Sequence, residues 1–226
     1  LHRLIRRQRQ MCIRDRLETM KARHSVRQYK NQAIESSKRE KINALIKDVN
    51  AESKLSIQVF YDEPKCFDSF MAHYGKFENV KNYIAIVGNK NDQEKAGYYG
   101  EKIVLKCQKL GLNTCWVAMT HGKSKAQIKR GQKLLIIISL GYGETQGVPH
   151  KSKSIAELGQ ADQKNEWFEK GMEAVSLAPT AVNQQKFYFE LKNGIVTAKN
   201  LGGFYSRIDL GIVKYHFEVV TGHEVK

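Results

Sequence analysis

The chain has 226 residues, 41% of them hydrophobic and 27% charged, with only three prolines and a net charge of +15. This composition excludes a chain that is disordered in the main, and the length suffices to bury a core without disulfide or metal staples. No apolar run approaches the roughly 20 residues that span a bilayer; the longest, Leu134–Leu140, has the length of a strand.

The positive charge is unevenly built. Residues 1–16 hold six Arg, one Asp and no Lys, whereas the rest of the chain holds 27 Lys and five Arg. A change of cation this abrupt sets residues 1–16 apart as a leader foreign to the body, to be excluded from fold reasoning. A mitochondrial presequence and an RNA-binding arm are the rival readings; the absence of Ser counts against the first. The body, 17–226, reads as one domain or two closely packed halves, divided near residue 150.

In chain order, Leu17–Arg23 reads as a short helix. Ser36 or Ser37 is placed to cap a second helix, with Glu40 completing a capping box and Ile42, Leu45, Ile46 and Val49 at helical spacing. Leu55–Tyr61 alternates as a strand, and 62–78 is irregular and partly helical. Tyr83–Gly88 is a buried strand. Tyr98–Leu110 is a helix with Gly111 as its C′ residue. Thr114–Met119 and Leu134–Leu140 are strands, Lys164–Leu177 a helix, and Phe187–Leu191 a strand that turns at Asn193-Gly194 into Ile195–Ala198. Ile208–Phe217 is the last helix. Helices alternate with strands, so the class is α+β or α/β. A helix–loop–strand pattern at 41–60 recurs, offset by 130 residues, at 171–189, which suggests two related half-domains of about 17–150 and 151–226.

Several segments bear chemistry. Arg23-His24-Ser25-Val26-Arg27 holds two of the body's five arginines. Forked donors suit phosphate, and an extended backbone would put Arg23, Ser25 and Arg27 on one face; a solvated basic turn fits the same residues. Pro179 ends a helix, and Asn183, Gln184 and Gln185 follow it, fit either to read a polar ring edge or to form an ordinary polar loop. Gly141-Tyr142-Gly143 opens a G-x-G-x-x-x-G stretch followed by Val148-Pro149, which fails the spacing and the following helix of a dinucleotide fingerprint. His150-Lys151-Ser152-Lys153 is a second basic cluster able to reach the same anion. Trp116 is either core or the neighbour of an aromatic cofactor. The seven His show no metal spacing, so no metal site is expected. Cys12, Cys66, Cys107 and Cys115 read as free thiols of a reducing, cytoplasmic setting. The basic residues lack the aromatic interleaving of a nucleic-acid binder.

The segments gain force from their order. Arg23-His24-Ser25-Val26-Arg27, the helix with Gly97-Tyr98-Tyr99-Gly100-Glu101 that ends in Gly111-Leu112-Asn113-Thr114-Cys115-Trp116, the strand end Leu140-Gly141-Tyr142-Gly143 and the loop Ala178-Pro179-Thr180-Ala181-Val182-Asn183-Gln184-Gln185 follow one another as in a known family. Over about residues 17–222 the chain resembles the FMN-dependent nitroreductase family, most of all the branch with a Pro-Ser/Thr-x-x-Asn-x-Gln loop in the C-terminal half.

The resemblance implies an α+β nitroreductase-like fold, with a central mixed or antiparallel sheet and flanking helices. It implies FMN as cofactor and NADH or NADPH as reductant, in a ping-pong transfer to a nitroaromatic, quinone or similar small electron-poor acceptor. It implies no catalytic side chain, because flavin N5 carries the chemistry. Arg23, Ser25 and Arg27 match the family's phosphate and ribityl contacts, with His24 contributing through its backbone. Pro179, Thr180, Ala181, Asn183 and Gln185 match the loop against the flavin, Gly141 the strand-end contact, and Lys151 and Lys153 the later basic contact. Trp116 stands beside the ring. Lys186-Phe187 departs from the family's usual Pro-Trp. The expected assembly is a monomer with pseudo-dimeric halves around one FMN, or a homodimer, acting with neither nucleic acid nor membrane. A non-catalytic flavin-binding or storage protein is the alternative.

Overall fold

The structure, a computed structural model, describes residues 14–226. Helix α1 covers 14–22 and buries Met20. Asp15 pairs with Lys109 and Arg16 donates to the Val219 carbonyl, so the part of the leader at 14–16 belongs to a helix docked on the body. The remainder of that expectation, with Cys12, lies outside the described residues.

Helix α2 (Ser36–Ser53) starts too early for either serine to cap it, since Ser36 and Ser37 are its first two residues. Glu35 is the N-cap, without a side-chain hydrogen bond, so the expected capping box does not form. Lys54 closes the helix in the left-handed conformation, its N–H on the Asn50 carbonyl. β1 (Ser56–Phe60) follows at once. A 3₁₀ turn (Pro64–Cys66) and α3 (Phe70–Tyr74), capped by Ser69, fill the irregular stretch. β2 (Asn82–Gly88) is buried along its whole length.

Helix α4 (Gln93–Lys109) begins five residues ahead of the expected start. Its first turn is polar and carries no apolar period. β3 (Asn113–Val117) and β4 (Lys133–Gly141) complete an antiparallel sheet in the order β1-β2-β4-β3. Both faces of β2 and most of β4 are covered, which explains their continuous apolar runs.

The second half builds a smaller sheet. Helix α5 (Ile155–Leu158), with a Ser154–Glu157 capping box, and β5 (Gly159–Ala161) were not foreseen; both are too short to carry a period. Helix α6 (Glu166–Ser176) starts at Asn165, whose side chain accepts from the Phe168 N–H (3.1 Å). β6 (Phe187–Lys192) and β7 (Ile195–Asn200) form the expected hairpin, with Asn193 and Gly194 both at positive φ. The sheet runs β5-β6-β7, with β5 parallel to β6. β6 turns Phe187, Phe189 and Leu191 inward, and Phe189 stacks on Phe217 of α7 (Ser206–Thr221) at 5.3 Å. Burying each such ring is worth about 1.5–3 kcal/mol.

Apart from the 3₁₀ turn and α3 inserted between β1 and β2, the order α2–β1–β2–α4 recurs as α6–β6–β7–α7, and both strand pairs are antiparallel. The sequence echo coincides with α2–β1 and α6–β6. Helices α4 and α7 cross backbone against backbone. A Cβ on Gly97 would lie 1.9 Å from the Ile208 carbonyl oxygen, and one on Gly211 would lie 1.9 Å from that of Glu94. Only glycine permits this approach. Among the described residues, no helix is long and apolar enough to cross a membrane.

Candidate functional site

A cavity of about 500 Å³ opens where the extended segment after α1, the end of β3, the loop after α6 and the start of α7 meet. That volume is within the range of about 300–1,000 Å³ typical of small-molecule sites. Arg23, His24, Ser25 and Arg27 line it together with Trp116 and with Pro179, Thr180, Ala181 and Asn183. Segments from opposite ends of the body are thus brought to one space. Ser25 reaches it because the segment is extended and bridges to Thr114 of β3.

Arg23 is 3% exposed, and its Nε and Nη1 have no hydrogen-bond partner. Its counter-charge is Glu101 of α4, with Oε1 3.9 Å from Nε, too far for a hydrogen bond. The Glu101 carboxylate is already engaged. Oε2 accepts from Trp116 Nε1 (3.0 Å), and Oε1 meets Nε2 of His216 on α7 (2.9 Å), whose Nδ1 faces the Ala174 carbonyl (2.8 Å). Burial alone would raise the Glu101 carboxyl, but the hydrogen bond and charge of His216, with Arg23 and Trp116 adding, hold it below the usual carboxylate range. Burial also lowers Arg23 from its ordinary value, against the pull of Glu101. Burial and the charge of Arg23 depress His24, and burial depresses His150, which faces the Ser176 carbonyl. The two guanidiniums, Arg23 and Arg27, make the cavity a place for an anion, while the lowered imidazoles of His24 and His150 stay neutral.

The loop after α6 is held in an unusual shape. Val182, Asn183 and Gln185 have φ of 46°, 53° and 46°, left-handed values that are costly for side-chain-bearing residues and most of all for a β-branched one. Two anchors impose them. Asp209 of α7 lines the cavity and accepts from the Ala181 N–H (2.9 Å) and from Gln184 Nε2 (2.8 Å). Burial pushes its carboxyl up to about 6, although both hydrogen bonds pull the other way. The second anchor is Gln185, which is buried. Its Nε2 donates to the Lys151 carbonyl (2.9 Å), and its Oε1 accepts from the Lys153 N–H (2.8 Å).

Four expected site residues therefore stand outside the lining. Gln185 fastens the loop from behind. Lys151 and Lys153 meet that loop through backbone groups, with Asn183 Nδ2 also on the Lys151 carbonyl (2.9 Å) and Lys153 Nζ on that of Gln185 (3.2 Å). Gly141 lies in β4, where a Cβ would strike the Tyr29 ring at 2.8 Å. Conversely, Glu101, His216, Asp209, Phe204 and Tyr205 escaped the sequence reading. For Asp209, a charge set among Ile208, Leu210 and Ile212 was the available signal; Glu101 offered none beyond its place in the Gly97–Glu101 motif.

A second cavity of about 510 Å³ lies among α1, α2, α4 and α7 and contains none of the expected residues. Two of its lysines, Lys102 and Lys109, are paired with Glu52 and Asp15. Among the described residues no cluster of His, Cys, Asp or Glu could hold a metal, and burial raises the Cys66 and Cys107 thiols to about 12.

Comparison with known proteins adds a family. No curated protein matches the chain. Among solved structures, a Thermotoga maritima protein described as a "putative nitroreductase" superposes with a TM-score of 0.65 at 23% identity, over 91% of this chain and 82% of that one. A Parabacteroides distasonis protein described as "Putative NADH dehydrogenase/NAD(P)H nitroreductase" reaches 0.50 at 19% identity, over 64% and 96%. An FMN-dependent nitroreductase of Clostridium difficile reaches 0.45 at 22% identity, over 62% and 92%. At these identities the Thermotoga and Parabacteroides likenesses are ones of fold, and the fold is that of the nitroreductases. The family model described as "Putative TM nitroreductase" matches residues 15–221, which spans both walls of the cavity, so the chain belongs to that nitroreductase family.

Proposed function

We propose that the chain is an FMN-dependent oxidoreductase that takes hydride from NADH or NADPH and delivers two electrons to a nitroaromatic, quinone or similar electron-poor acceptor. Arg23 carries the proposal. A buried donor without an acceptor costs about 1–3 kcal/mol, more when charged, and the cost is recovered when an anion enters. A phosphate matches the guanidinium fork, and Ser25 and Arg27 share the same wall. The residues present therefore fit FMN.

On this reading the lining residues divide between the two ends of a phosphorylated ring. Arg23, Ser25 and Arg27 would hold the phosphate and ribityl end, with His24 adding backbone. Trp116, Pro179, Thr180, Ala181 and Asn183 would flank the ring. Gln185, Lys151, Lys153 and Gly141 would act from behind, by shaping the walls. Bound there, the flavin would supply the hydride chemistry. The chain's own work is to bind, orient and exclude water, with Ile136, Ile208 and Ile212 as apolar lining and two guanidiniums favouring negative charge.

Both walls belong to one chain. This supports half-domains of about 17–150 and 151–226 that imitate a dimer around one FMN.

Arg23→Met tests the function. Methionine fills similar space and removes the orphaned donors, but it also takes a counter-charge from buried Glu101, so the folding of the flavin-free variant is checked by urea unfolding before its affinity is read. FMN should bind about 100-fold more weakly, as expected when charge-assisted contacts worth about 1.5–3 kcal/mol each are lost. Wild-type flavin affinity in the variant would overturn the proposal.

A further inference from the structure

We infer that Phe204 is the residue that meets the acceptor's ring and favours planar aromatic acceptors over non-planar ones; this rests on the flavin reading above. The cavity is apolar at its mouth. Met119, Val148, Val182 and Phe204 line it and are 58%, 80%, 84% and 42% exposed. Four exposed apolar side chains around one opening mark a binding rim, since such groups are otherwise scattered singly. None of the four bears a charge. Their ligand is selected by shape and apolar contact.

Phe204 is the aromatic member of that rim, and its setting is built. The ring stands edge-on to Tyr205, with centroids 4.6 Å apart and planes at 70°. Its backbone is fixed from the flavin-side loop: Gln184 Nε2 donates to the Phe204 carbonyl (2.6 Å) and, at the same time, to Asp209. Gly202 and Gly203 precede it with φ of 79° and 124°. A Cβ at Gly203 would lie 2.4 Å from Gln184 Oε1, so any other residue there would push the amide away from its two acceptors. The diglycine, the amide and the carboxylate thus set one aromatic face at the mouth, tied to the loop that carries Pro179–Asn183. A planar ring can lie against that face, as aromatic pairs prefer; a puckered ring of equal volume cannot match it.

Calorimetry on the FMN-loaded protein tests this with two unreactive carboxylates of like size, benzoate and cyclohexanecarboxylate. The wild type should prefer benzoate. Phe204→Ala should weaken benzoate about fivefold, the range of an aromatic contact, while cyclohexanecarboxylate and FMN stay within about twofold. Phe204→Trp should restore the preference. Equal weakening of both carboxylates, unchanged benzoate binding, or loss of FMN from Phe204→Ala would each overturn the assignment alone. A wild-type protein that takes up no FMN would instead overturn the flavin reading and this inference with it.

Discussion

Asp209 makes stability depend on pH in a direction opposite to that of most carboxylates. Its carboxyl rises from an ordinary 3.8 to about 6 in the folded chain, chiefly through burial. The folded state therefore holds the proton more tightly than the unfolded one. Each tenfold gain in proton affinity is worth about 1.4 kcal/mol, so the group adds roughly 3 kcal/mol below pH 3.8, and this is lost as pH rises through 6. Between pH 7 and pH 5 it should favour the folded state by about 1 kcal/mol. His24 and His150 pull the other way, since their depressed values disfavour folding in acid. The difference between wild type and Asp209→Asn cancels them. Asparagine keeps an acceptor for the Ala181 N–H but turns a donor toward Gln184, so the variant loses the titration and one hydrogen bond. Urea unfolding at pH 5, 6 and 7 should show the wild type gaining about 1 kcal/mol on the variant as pH falls. Parallel curves would mean that Asp209 is solvated in the folded chain, and that it does not pin the strained loop by a buried charge.

Two further outcomes follow from the packing of the halves. Gly97→Ala drives a Cβ to within 1.9 Å of the Ile208 carbonyl and should cost about 1–3 kcal/mol or more, read as a lower Tm, because two helix backbones must separate. Sedimentation with flavin quantitation should find one FMN per chain at the mass of a single chain; a dimer whose sites need both copies would refute the one-chain site.

The readable parts of this sequence were those where one force dominates. β2 and β4 are covered on both faces, and their apolar runs announce them. The Asn193-Gly194 turn needs positive φ twice, and its residues say so. That Arg23, Trp116 and the Pro179–Asn183 loop meet at one cavity could be anticipated because unusual residue types stood in a family's order. What stayed hidden was set by tertiary partners. The true start of α2 at Glu35 lacks a capping side chain. The first turn of α4 meets α7 through the Glu94 backbone and a Lys214–Glu94 ion pair rather than through apolar side chains, so it carries no apolar period. Glu101 looks like one more helix-surface acid until Trp116, Arg23 and His216 are known to converge on it. Gly141, expected at a ligand, makes room for Tyr29. Lys151 and Lys153, expected to offer ammonium groups, serve the loop mainly through their peptide groups.

The length of the connection explains why only one of the two helix–strand links builds a cavity wall. Helix α2 ends at Ser53 and β1 starts at Ser56, so two residues connect them. Helix α6 ends at Ser176 and β6 starts at Phe187, so ten residues, 177–186, make the same connection. A two-residue link that closes the helix at Lys54 has no backbone left to form a wall. The ten-residue link supplies Pro179 to Gln185, and its strained turn needs anchors that the second half provides: Asp209 in α7 and the backbone of 151–153. The guanidiniums that line the cavity, in turn, come from the first half, where Arg23 and Arg27 precede α2. Residues on either side of position 150 thus supply complementary walls of the cavity. The Gly97–Gly211 crossing locks them at the distance where Glu101, from one half, can meet His216, from the other, beneath the guanidinium. A change that loosens this crossing should therefore reach the cavity through Arg23 and Trp116, although neither residue belongs to the crossing itself.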